Sequence, residues 1–219
     1  MIKDRVTHAE VTARQTKIKE MIDGRQEGII VLENIADPHN SAAVWRSADA
    51  FGFQKIYLVY SKEKAVNPKK IGKASSASAN KWLSFTTFKN IDECYARLYK
   101  DGYKIFATVL DKEATNLQSS DFKHKKIAIV LGNEHRGLSE EAIKGANEKI
   151  YIPMKGMVQS LNISVTAGIL MYEVERQRFN PSALRASPLD RGDKLKKKNK
   201  FSLAKKEKEK LIKEFEWLK

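Results

Sequence analysis

Short runs of Val, Ile and Leu recur along the chain, and between them the apolar residues fall at helical spacing. The continuous runs predict strands at Gly28–Glu33, Lys55–Tyr60, Leu83–Phe88, Tyr103–Leu110, Lys126–Leu131 and Lys149–Ile152. The segments with helical spacing predict helices at about Ser41–Phe51, Ile91–Lys100, Ser139–Gly145 and Leu161–Arg178. Strands of this kind that alternate with helices are typical of a mostly parallel sheet with helices on both faces, so we expect an α/β fold.

The chain divides into three parts. Residues 1–27 are polar with scattered apolar positions, which favours one or two short helices that dock on the rest of the protein. Residues 28–180 hold the α/β domain, whose last helix ends before a proline. Residues 181–219 form a basic extension.

The basic extension ends in an amphipathic helix. Leu211, Phe215 and Leu218 fall at positions i, i+4 and i+7 of that helix. We expect this apolar face to pack on the domain together with Trp217, which would leave a Lys-rich face free.

The net charge bears on the kind of partner that the protein binds. The chain has 219 residues, of which 42% are hydrophobic and 31% charged, and its formal net charge is +14. Half of that excess lies from Arg191 to Lys219, where twelve Lys and Arg residues stand against five Asp and Glu residues. A net positive charge of this size favours a polyanionic partner, most often nucleic acid. A solvated tail that only increases solubility explains the charge as well, so both interpretations stay open.

The sequence excludes several classes of protein. Cys94 is the only cysteine, which excludes an intramolecular disulfide and a cysteine-rich zinc site, and its helical setting predicts a small core residue. The first ten residues lack a hydrophobic signal segment, and the apolar helix around Ile163–Met171 is too short to span a bilayer. We therefore expect a cytoplasmic protein.

The first of three unusual loops follows the first strand and leads into a helix. Asn40 is a good helix cap, since its side chain can accept from amides of the first turn, and this structural role is as well supported as a functional one. Arg46 lies among Ala, Val and Trp residues that we assign to the core. An Arg in such a setting needs a partner, and Asp49 at i+3 would be a structural one. In the functional interpretation, the guanidinium of Arg46 contacts a phosphate or ribose oxygen.

The second loop, Leu131–Ser139, comes directly after a buried strand and has a glycine on each side of four polar residues. Loops at the carboxyl ends of parallel strands are where ligands bind in open α/β sheets. Gly132 permits close backbone approach, and Glu134 either orients a neighbouring Arg or Asn or is solvated. No second His or Cys stands at metal-ligand spacing from His135, so we expect a surface or RNA-facing His and no metal site.

The third loop, Ile152–Ser164, is apolar and contains a glycine. Such a loop can bend sharply, offer backbone groups and exclude water, which are properties of a pocket wall for a small ligand. Gly156 and Met157 would let it fold over a flat or thioether-bearing ligand. Ser160 and Asn162 precede the apolar helix and can cap it, which is the structural alternative.

In this order, the three loops resemble the motifs of the SpoU (TrmH-type) RNA 2'-O-ribose methyltransferases of the knotted SPOUT superfamily. The matching segments are PHNSAAVWRSADAFG, LGNEHRGLS and IPMKGMVQSLNISVTAGILMYE, and the resemblance covers about Gly28–Arg178. It implies an α/β sheet whose C-terminal part forms a deep trefoil knot, a rare exception to the rules of chain threading. It also implies a homodimer with the active site close to the subunit interface.

The resemblance further implies that S-adenosylmethionine binds in the knot, with its adenine held largely by backbone groups. By position, the loops concerned are Thr108–Leu110, Leu131–Gly132 and Ile152–Leu161. Within these loops the expected cofactor contacts are Thr108, Leu110, Leu131, Gly132, Ile152, Met157 and Leu161.

The implied reaction is methyl transfer from a sulfonium to a ribose 2'-hydroxyl, which requires alignment and removal of the hydroxyl proton but no metal. The resemblance gives Arg46 the leading catalytic role, supported by Asn40, Glu134, Ser160 and Asn162. Because a guanidinium stays protonated far above neutral pH, Arg46 is a poor general base. Electrostatic stabilisation of the developing alkoxide and the adjacent phosphate by Arg46 is the more cautious hypothesis.

The expected substrate follows from the two extensions. Only about 27 residues precede the first strand, too few for the separate RNA-binding domain that ribosomal RNA enzymes of this family often carry. Short extensions at both ends resemble the tRNA enzymes that methylate a D-loop guanosine, so we expect tRNA. Contacts with RNA phosphates are expected from Lys69, Lys70, Lys73, Lys81, Lys196, Lys197 and Lys198.

Three other functions stay open. One is a ribosomal RNA 2'-O-methyltransferase, and another is a non-catalytic knotted RNA-binding protein. The presence of Asn40, Arg46, Glu134 and Asn162 argues against the non-catalytic protein, which need not keep them. A methyltransferase of the Rossmann type would need a glycine-rich loop after the first strand, where DPHN stands instead.

Overall fold

The computed structural model describes residues 8–68, 79–111, 113–178 and 200–216. Its helices are α1 (His8–Asp23), α2 (Pro38–Ala50), α3 (Ile91–Lys100), α4 (Glu140–Lys144), α5 (Ile163–Arg178) and α6 (Lys205–Glu216). Its strands are β1 (Gln26–Glu33), β2 (Phe53–Val59), β3 (Ser84–Phe88), β4 (Lys104–Thr108), β5 (Thr115–Asn116), β6 (Ile127–Leu131) and β7 (Glu148–Tyr151). Single 3-10 turns lie at Ala79–Lys81 and Leu117–Ser119.

Every strand and helix predicted for the α/β domain is present, with small differences at the ends. Helix α2 begins at Pro38 rather than near Ser41, because the side chain of Asp37 accepts a hydrogen bond from the amide of His39 and caps the helix. Strand β5 has two residues, too few to produce a hydrophobic pattern, and the sequence does not predict it.

The strands form one seven-stranded sheet in the order β3-β2-β1-β6-β4-β7-β5. All of the strand ladders in this sheet are parallel. At its centre, Ile30 of β1 pairs with Ile56 of β2 and with Ile129 of β6. Parallel neighbours need crossover connections, which the helices supply. The prediction of a mostly parallel α/β sheet is confirmed.

Alternate residues of the central strands face two separate cores. Ile30 and Leu32 pack on one face with Trp45 of α2 and Met171 of α5. On the other face, Ile29 and Val31 pack with residues of α3 and α4, which include Cys94, Leu98 and Ala142. Helices therefore cover both faces, as expected for buried strands that read as continuous apolar runs.

Cys94 lies in the second core, as predicted, and its side chain is fully buried. Burial and the nearby carboxylate of Glu33 raise the pKa of the Cys94 thiol to about 12. The thiol is therefore protonated at neutral pH and acts as a small apolar group.

The two terminal helices pack against each other. Ile18 and Ile22 of α1 form a third core with Leu211 and Phe215 of α6, and the ring of Trp82 contacts Phe215 edge-on. The prediction that the amphipathic helix packs back on the protein is confirmed for Leu211 and Phe215. Leu218 and Trp217 lie outside the described residues.

The Lys-rich face predicted for α6 is not present, because the charges of this helix nearly balance. The helix contains five Lys and four Glu residues. Lys208 pairs with Asp23, and Glu207 pairs with Lys55. The basic excess of the extension therefore lies before the helix. None of the described helices is long and apolar enough to cross a membrane.

Candidate active site

A cavity of about 730 Å³ opens at the carboxyl edge of the sheet, where the loops after β1, β4, β6 and β7 meet. This edge is where open α/β sheets bind their ligands. Four of the five predicted catalytic residues line the cavity: Asn40, Glu134, Ser160 and Asn162. They come from three loops that are far apart in the sequence.

Hydrogen bonds join three of these polar side chains. The carboxylate of Glu134 accepts from Asn40 Nδ2 at 2.9 Å and from the amides of Ala36 and Asp37 at 3.1 and 3.3 Å. Asn40 Oδ1 in turn accepts from Asn162 Nδ2 at 3.1 Å. Burial alone would raise the pKa of Glu134, but these hydrogen bonds lower it below its ordinary value. Glu134 is therefore a carboxylate at neutral pH that orients Asn40.

The capping prediction is wrong for Asn40 and confirmed for Asn162. Helix α2 begins before Asn40 because Asp37 caps it, so the side chain of Asn40 is free to reach Glu134. Asn162 directly precedes α5, and its Oδ1 accepts from the amide and hydroxyl of Ser164 at 2.8 and 2.7 Å. Ser160 is exposed on the rim of the cavity.

Gly132 allows the loop after β6 to fold tightly on itself. A Cβ at Gly132 would lie 2.3 Å from the carbonyl carbon of Gly137, so no larger residue fits. The backbone of Asn133 exchanges two hydrogen bonds with Gly137, at 3.0 and 2.9 Å. The close approach predicted at Gly132 is thus between two parts of the same loop.

The other wall of the cavity is largely apolar. Six of the seven predicted cofactor contacts line it: Thr108, Leu110, Leu131, Gly132, Ile152 and Leu161. Leu131 is buried, whereas the side chain of Leu110 is 73% exposed at the cavity mouth. Thr108 Oγ1 donates to the carbonyl of Val130 at 2.9 Å, which fixes the end of β4 beside β6.

Arg46 and Met157 lie away from the cavity. Arg46 is exposed on α2, because Trp45 and Ala48 occupy the buried face of that helix. The predicted apolar setting of Arg46 and its pairing with Asp49 are therefore wrong, since the partner of Asp49 is Arg25, at 2.5 Å.

Met157 is fully exposed, and its neighbours from Lys155 to Ser160 are exposed as well. The expectation of a water-excluding wall is wrong for this part of the loop, because no described element covers it. The cavity wall is formed by the two ends of the loop, with Ile152 and Met154 at one end and Ser160–Ile163 at the other.

The predicted RNA contacts are mostly outside the described residues, namely Lys69, Lys70, Lys73, Lys196, Lys197 and Lys198. Lys81 is exposed next to Trp82, at the amino edge of the sheet and away from the cavity. His135 lies at the cavity, exposed, as expected for a surface or RNA-facing residue. Among the described residues there is no group of three or more His, Cys, Asp or Glu side chains that could hold a metal.

Two buried asparagines were missed by the sequence reasoning. Asn133 lies in the cavity loop after β6, Asn34 lies just before the cavity residues Ala36 and Asp37, and the side chain of each accepts from two or more backbone amides. The available signal was an Asn at or just after the end of a strand, where its side chain can hydrogen-bond local backbone.

The known proteins that this chain resembles are RNA 2'-O-methyltransferases of one family. A model of the SpoU rRNA Methylase family matches residues 27–172. A tRNA (guanosine(18)-2'-O)-methyltransferase from Aquifex aeolicus is 36% identical over 166 residues, which cover 75% of this chain and 77% of that protein. The 23S rRNA (guanosine-2'-O-)-methyltransferase RlmB of Coxiella burnetii is 35% identical over 154 residues, which cover 70% of this chain and 60% of that protein.

Solved structures agree with these matches. A crystal structure of a TrmH/SpoU tRNA modifying enzyme from A. aeolicus superposes with a TM-score of 0.78 at 30% identity, and the match covers 94% of this chain and 96% of that one. This likeness confirms the knotted α/β fold class.

Proposed function

Because this chain belongs to the SpoU rRNA Methylase family, we propose that it transfers a methyl group from S-adenosylmethionine to the ribose 2'-hydroxyl of a D-loop guanosine in tRNA. The observation that carries the proposal is the hydrogen-bonded chain Glu134–Asn40–Asn162 at one cavity. It joins all three motifs of the family at the edge of the sheet where ligands bind.

The cavity fits S-adenosylmethionine. Its volume of about 730 Å³ lies in the range of cofactor pockets. Apolar side chains of Leu131, Ile152 and Leu161 form a wall for the adenine, and the backbone of their loops supplies donors and acceptors for it. When bound, the sulfonium supplies an activated methyl group.

The residues of this chain then align the attacking 2'-hydroxyl, whose proton passes to solvent water as the new bond between oxygen and the methyl carbon forms. Glu134 holds Asn40, and Asn40 holds Asn162, so the three polar side chains act as one fixed surface at the mouth of the cavity. A cationic group is needed to stabilise the alkoxide that develops as the proton leaves. We assign that role to Arg46.

Arg46 does not line the cavity of its own subunit, which suits a homodimer in which it completes the site of the partner. Val165 and Tyr172 leave exposed apolar surface on α5, at 48% and 58% exposure. Tyr172 contacts Phe51 at the end of α2, the helix that carries Arg46. A second copy that covers this face would lie next to the helix that carries Arg46.

Mixed dimers test this arrangement. Copies with Arg46→Ala and copies with Glu134→Ala are each expected to be inactive. If Arg46 acts across the interface, an equal mixture of refolded copies regains about a quarter of the wild-type activity, because half of the dimers hold one intact site. No recovery would place Arg46 and Glu134 in the same subunit's site.

A tRNA substrate is supported by the relative named for tRNA guanosine 18, and it implies action in the cytoplasm. The basic stretches around Lys69–Lys73 and Lys196–Lys198 supply phosphate contacts that do not depend on sequence. The second candidate, a ribosomal RNA substrate, is favoured by the similarity to RlmB.

The deciding experiment is tritiated methyl transfer from S-adenosylmethionine to unmodified tRNA and ribosomal RNA, with the product nucleoside mapped. We expect 2'-O-methylguanosine in the D-loop of tRNA. Modification of ribosomal RNA alone would overturn the tRNA assignment. Binding of S-adenosylmethionine without transfer to either RNA would favour a non-catalytic RNA-binding protein.

A further inference from the structure

Asn34, directly after β1, has an unusual backbone conformation. Its φ is 53°, and it is the one non-glycine residue with a positive φ in the described part of the chain. Asn tolerates this left-handed region better than most residues, but the conformation persists only where the surroundings hold it. The side chain is buried, with 5% exposure.

The side chain of Asn34 holds the loop after β2. Its Oδ1 accepts from the amides of Ser61 and Lys62 at 2.9 Å and from the amide of Glu63 at 3.3 Å. Its Nδ2 donates to Ser61 Oγ at 3.0 Å. One carboxamide therefore fixes three consecutive residues of a loop whose Glu63 pairs with Arg136, a residue that lines the cavity.

The backbone of Asn34 holds the loop after β6. Its carbonyl accepts from Asn133 Nδ2 at 2.7 Å, in a buried hydrogen bond. The Oδ1 of Asn133 accepts from the amides of His135 and Arg136 at 2.9 and 3.1 Å. The guanidinium of Arg136 also pairs with the carboxylate of Glu63, so the two loops are joined a second time.

Glu134 lies between the residues that this arrangement fixes. The residues on either side of Glu134 are joined, because the amide of His135 donates to Asn133 Oδ1. The carboxylate of Glu134 accepts from the amides of Ala36 and Asp37, which follow Asn34 closely in the chain. A change in the backbone at Asn34 would therefore shift both the carboxylate and the amides that it accepts from.

We propose that Asn34 is a positioning residue for methyl transfer: through Asn133 it holds Glu134 where its carboxylate meets Asn40. The kinetic part of this inference rests on the function proposed above. The structural part, the coupling of Asn34 to the loop after β6, is independent of it.

Three variants separate positioning from stability. Asn34→Gly keeps the left-handed backbone accessible and keeps the carbonyl that Asn133 donates to, but it removes the side-chain bonds that hold this backbone in place. Asn34→Asp keeps an acceptor for the three amides, replaces the donor to Ser61 Oγ with a second acceptor, and adds a negative charge that these amides help to stabilise. The matched control is Asn90→Gly, because Asn90 Oδ1 accepts from the amide of Glu93 at 2.8 Å and caps α3, away from the cavity.

In single-turnover methyl transfer, Asn34→Gly should lower the maximal rate about 10- to 100-fold, the usual cost of a displaced catalytic group, and a separate steady-state assay should give a KM for RNA within about twofold of the wild type. Asn34→Asp should recover most of the rate. Asn90→Gly should lose stability and keep the rate of its folded fraction. The proposal is overturned if Asn34→Gly reacts as fast as the wild type, or if Asn34→Asp is as slow as Asn34→Gly.

Amide hydrogen exchange supplies a readout that needs no activity. In Asn34→Gly the amides of His135 and Arg136 should exchange faster than in the wild type, although neither of them contacts Asn34 directly. In Asn90→Gly they should be unchanged. If the wild type methylates no RNA, the proposed function fails, and exchange still decides the coupling: unchanged protection at His135 and Arg136 overturns it.

Discussion

Both edges of the sheet carry networks of polar side chains, but the side chains bond to different kinds of partner. At the carboxyl edge, Glu134, Asn40 and Asn162 bond to one another and line a cavity. At the amino edge, Arg25 and Arg178 are almost completely buried and bond mainly to backbone carbonyls. The first network joins side chain to side chain at the larger cavity, whereas the second joins arginines mainly to backbone beside a smaller cavity of about 280 Å³.

Arg178 illustrates the amino edge. Its guanidinium donates to the carbonyls of Phe122, Glu27 and His124 at 3.0, 2.9 and 2.6 Å, and it lies over the ring of Phe201 at 4.8 Å. Burial lowers the pKa of Arg178 to about 10, and the group remains charged at neutral pH. Phe201 belongs to the returning C-terminal segment, so Arg178 joins α5, β1 and the extension.

Burial of a charged side chain is therefore a poor guide to catalysis in this fold. The buried arginines hold the chain together, whereas the exposed Arg46 is the candidate for chemistry. Changes at the amino edge should therefore affect stability, and changes at the carboxyl edge should affect the rate.

The largest expected effect is on stability. Arg178→Ala leaves several buried carbonyls without a donor and should lower the free energy of unfolding by about 3–5 kcal/mol. Urea denaturation followed by fluorescence measures this loss. Arg176→Ala is the control on the same helix, because Arg176 is exposed and pairs with Glu173. Equal losses for the two variants would mean that buried Arg178 contributes no more to stability than exposed Arg176.

A change of similar size is expected in the activation free energy of methyl transfer when Arg46 is replaced. Arg46→Ala should lower single-turnover methyl transfer about 100- to 1000-fold, or about 3–4 kcal/mol, with an unchanged free energy of unfolding. Arg46→Lys should be intermediate, since it keeps the charge without the planar fork. Arg97→Ala, at an exposed residue of α3, is the control. Near-normal transfer by either Arg46 variant would exclude the assigned role.

Sequence reasoning located the site because of one geometric rule. Residues after different parallel strands meet at one edge, so Asn40, Glu134 and Asn162 were expected near each other although Asn162 follows Asn40 by 122 positions. The same reasoning failed for Arg46, because counting apolar neighbours does not tell which side of a helix a residue occupies. The true partner of Asp49 is Arg25, 24 positions earlier, which no local spacing predicts.

The third prediction concerns pH and Glu134. Its lowered pKa means that its hydrogen bonds stabilise the folded protein at pH values above the ordinary pKa of Glu. That stabilisation is lost as the pH falls through the folded pKa and the carboxylate becomes protonated. Glu134→Gln should therefore be less stable by about 1 kcal/mol at neutral pH, a small loss because the group is only partly buried.

The difference between wild type and Glu134→Gln should shrink when denaturation is repeated below about pH 4. Glu214→Gln, at an exposed residue of α6, is the control for the general effect of removing a carboxylate. A difference that stays constant or grows in acid would mean that Glu134 is not stabilised as a carboxylate.

The smallest effect is expected from the surface contacts of α6. Lys208 pairs with Asp23 at 2.9 Å, but the side chain of Asp23 is 73% exposed, and such pairs contribute about 0.2–0.5 kcal/mol. Lys208→Ala should therefore lower the free energy of unfolding by this amount at low salt and by less at high salt, because ions screen exposed charges. A loss above about 1 kcal/mol would mean that ion pairs hold the C-terminal helix. A small loss would mean that the C-terminal segment is held instead by the contact of Arg178 with Phe201 and by the apolar contacts of Leu211 and Phe215.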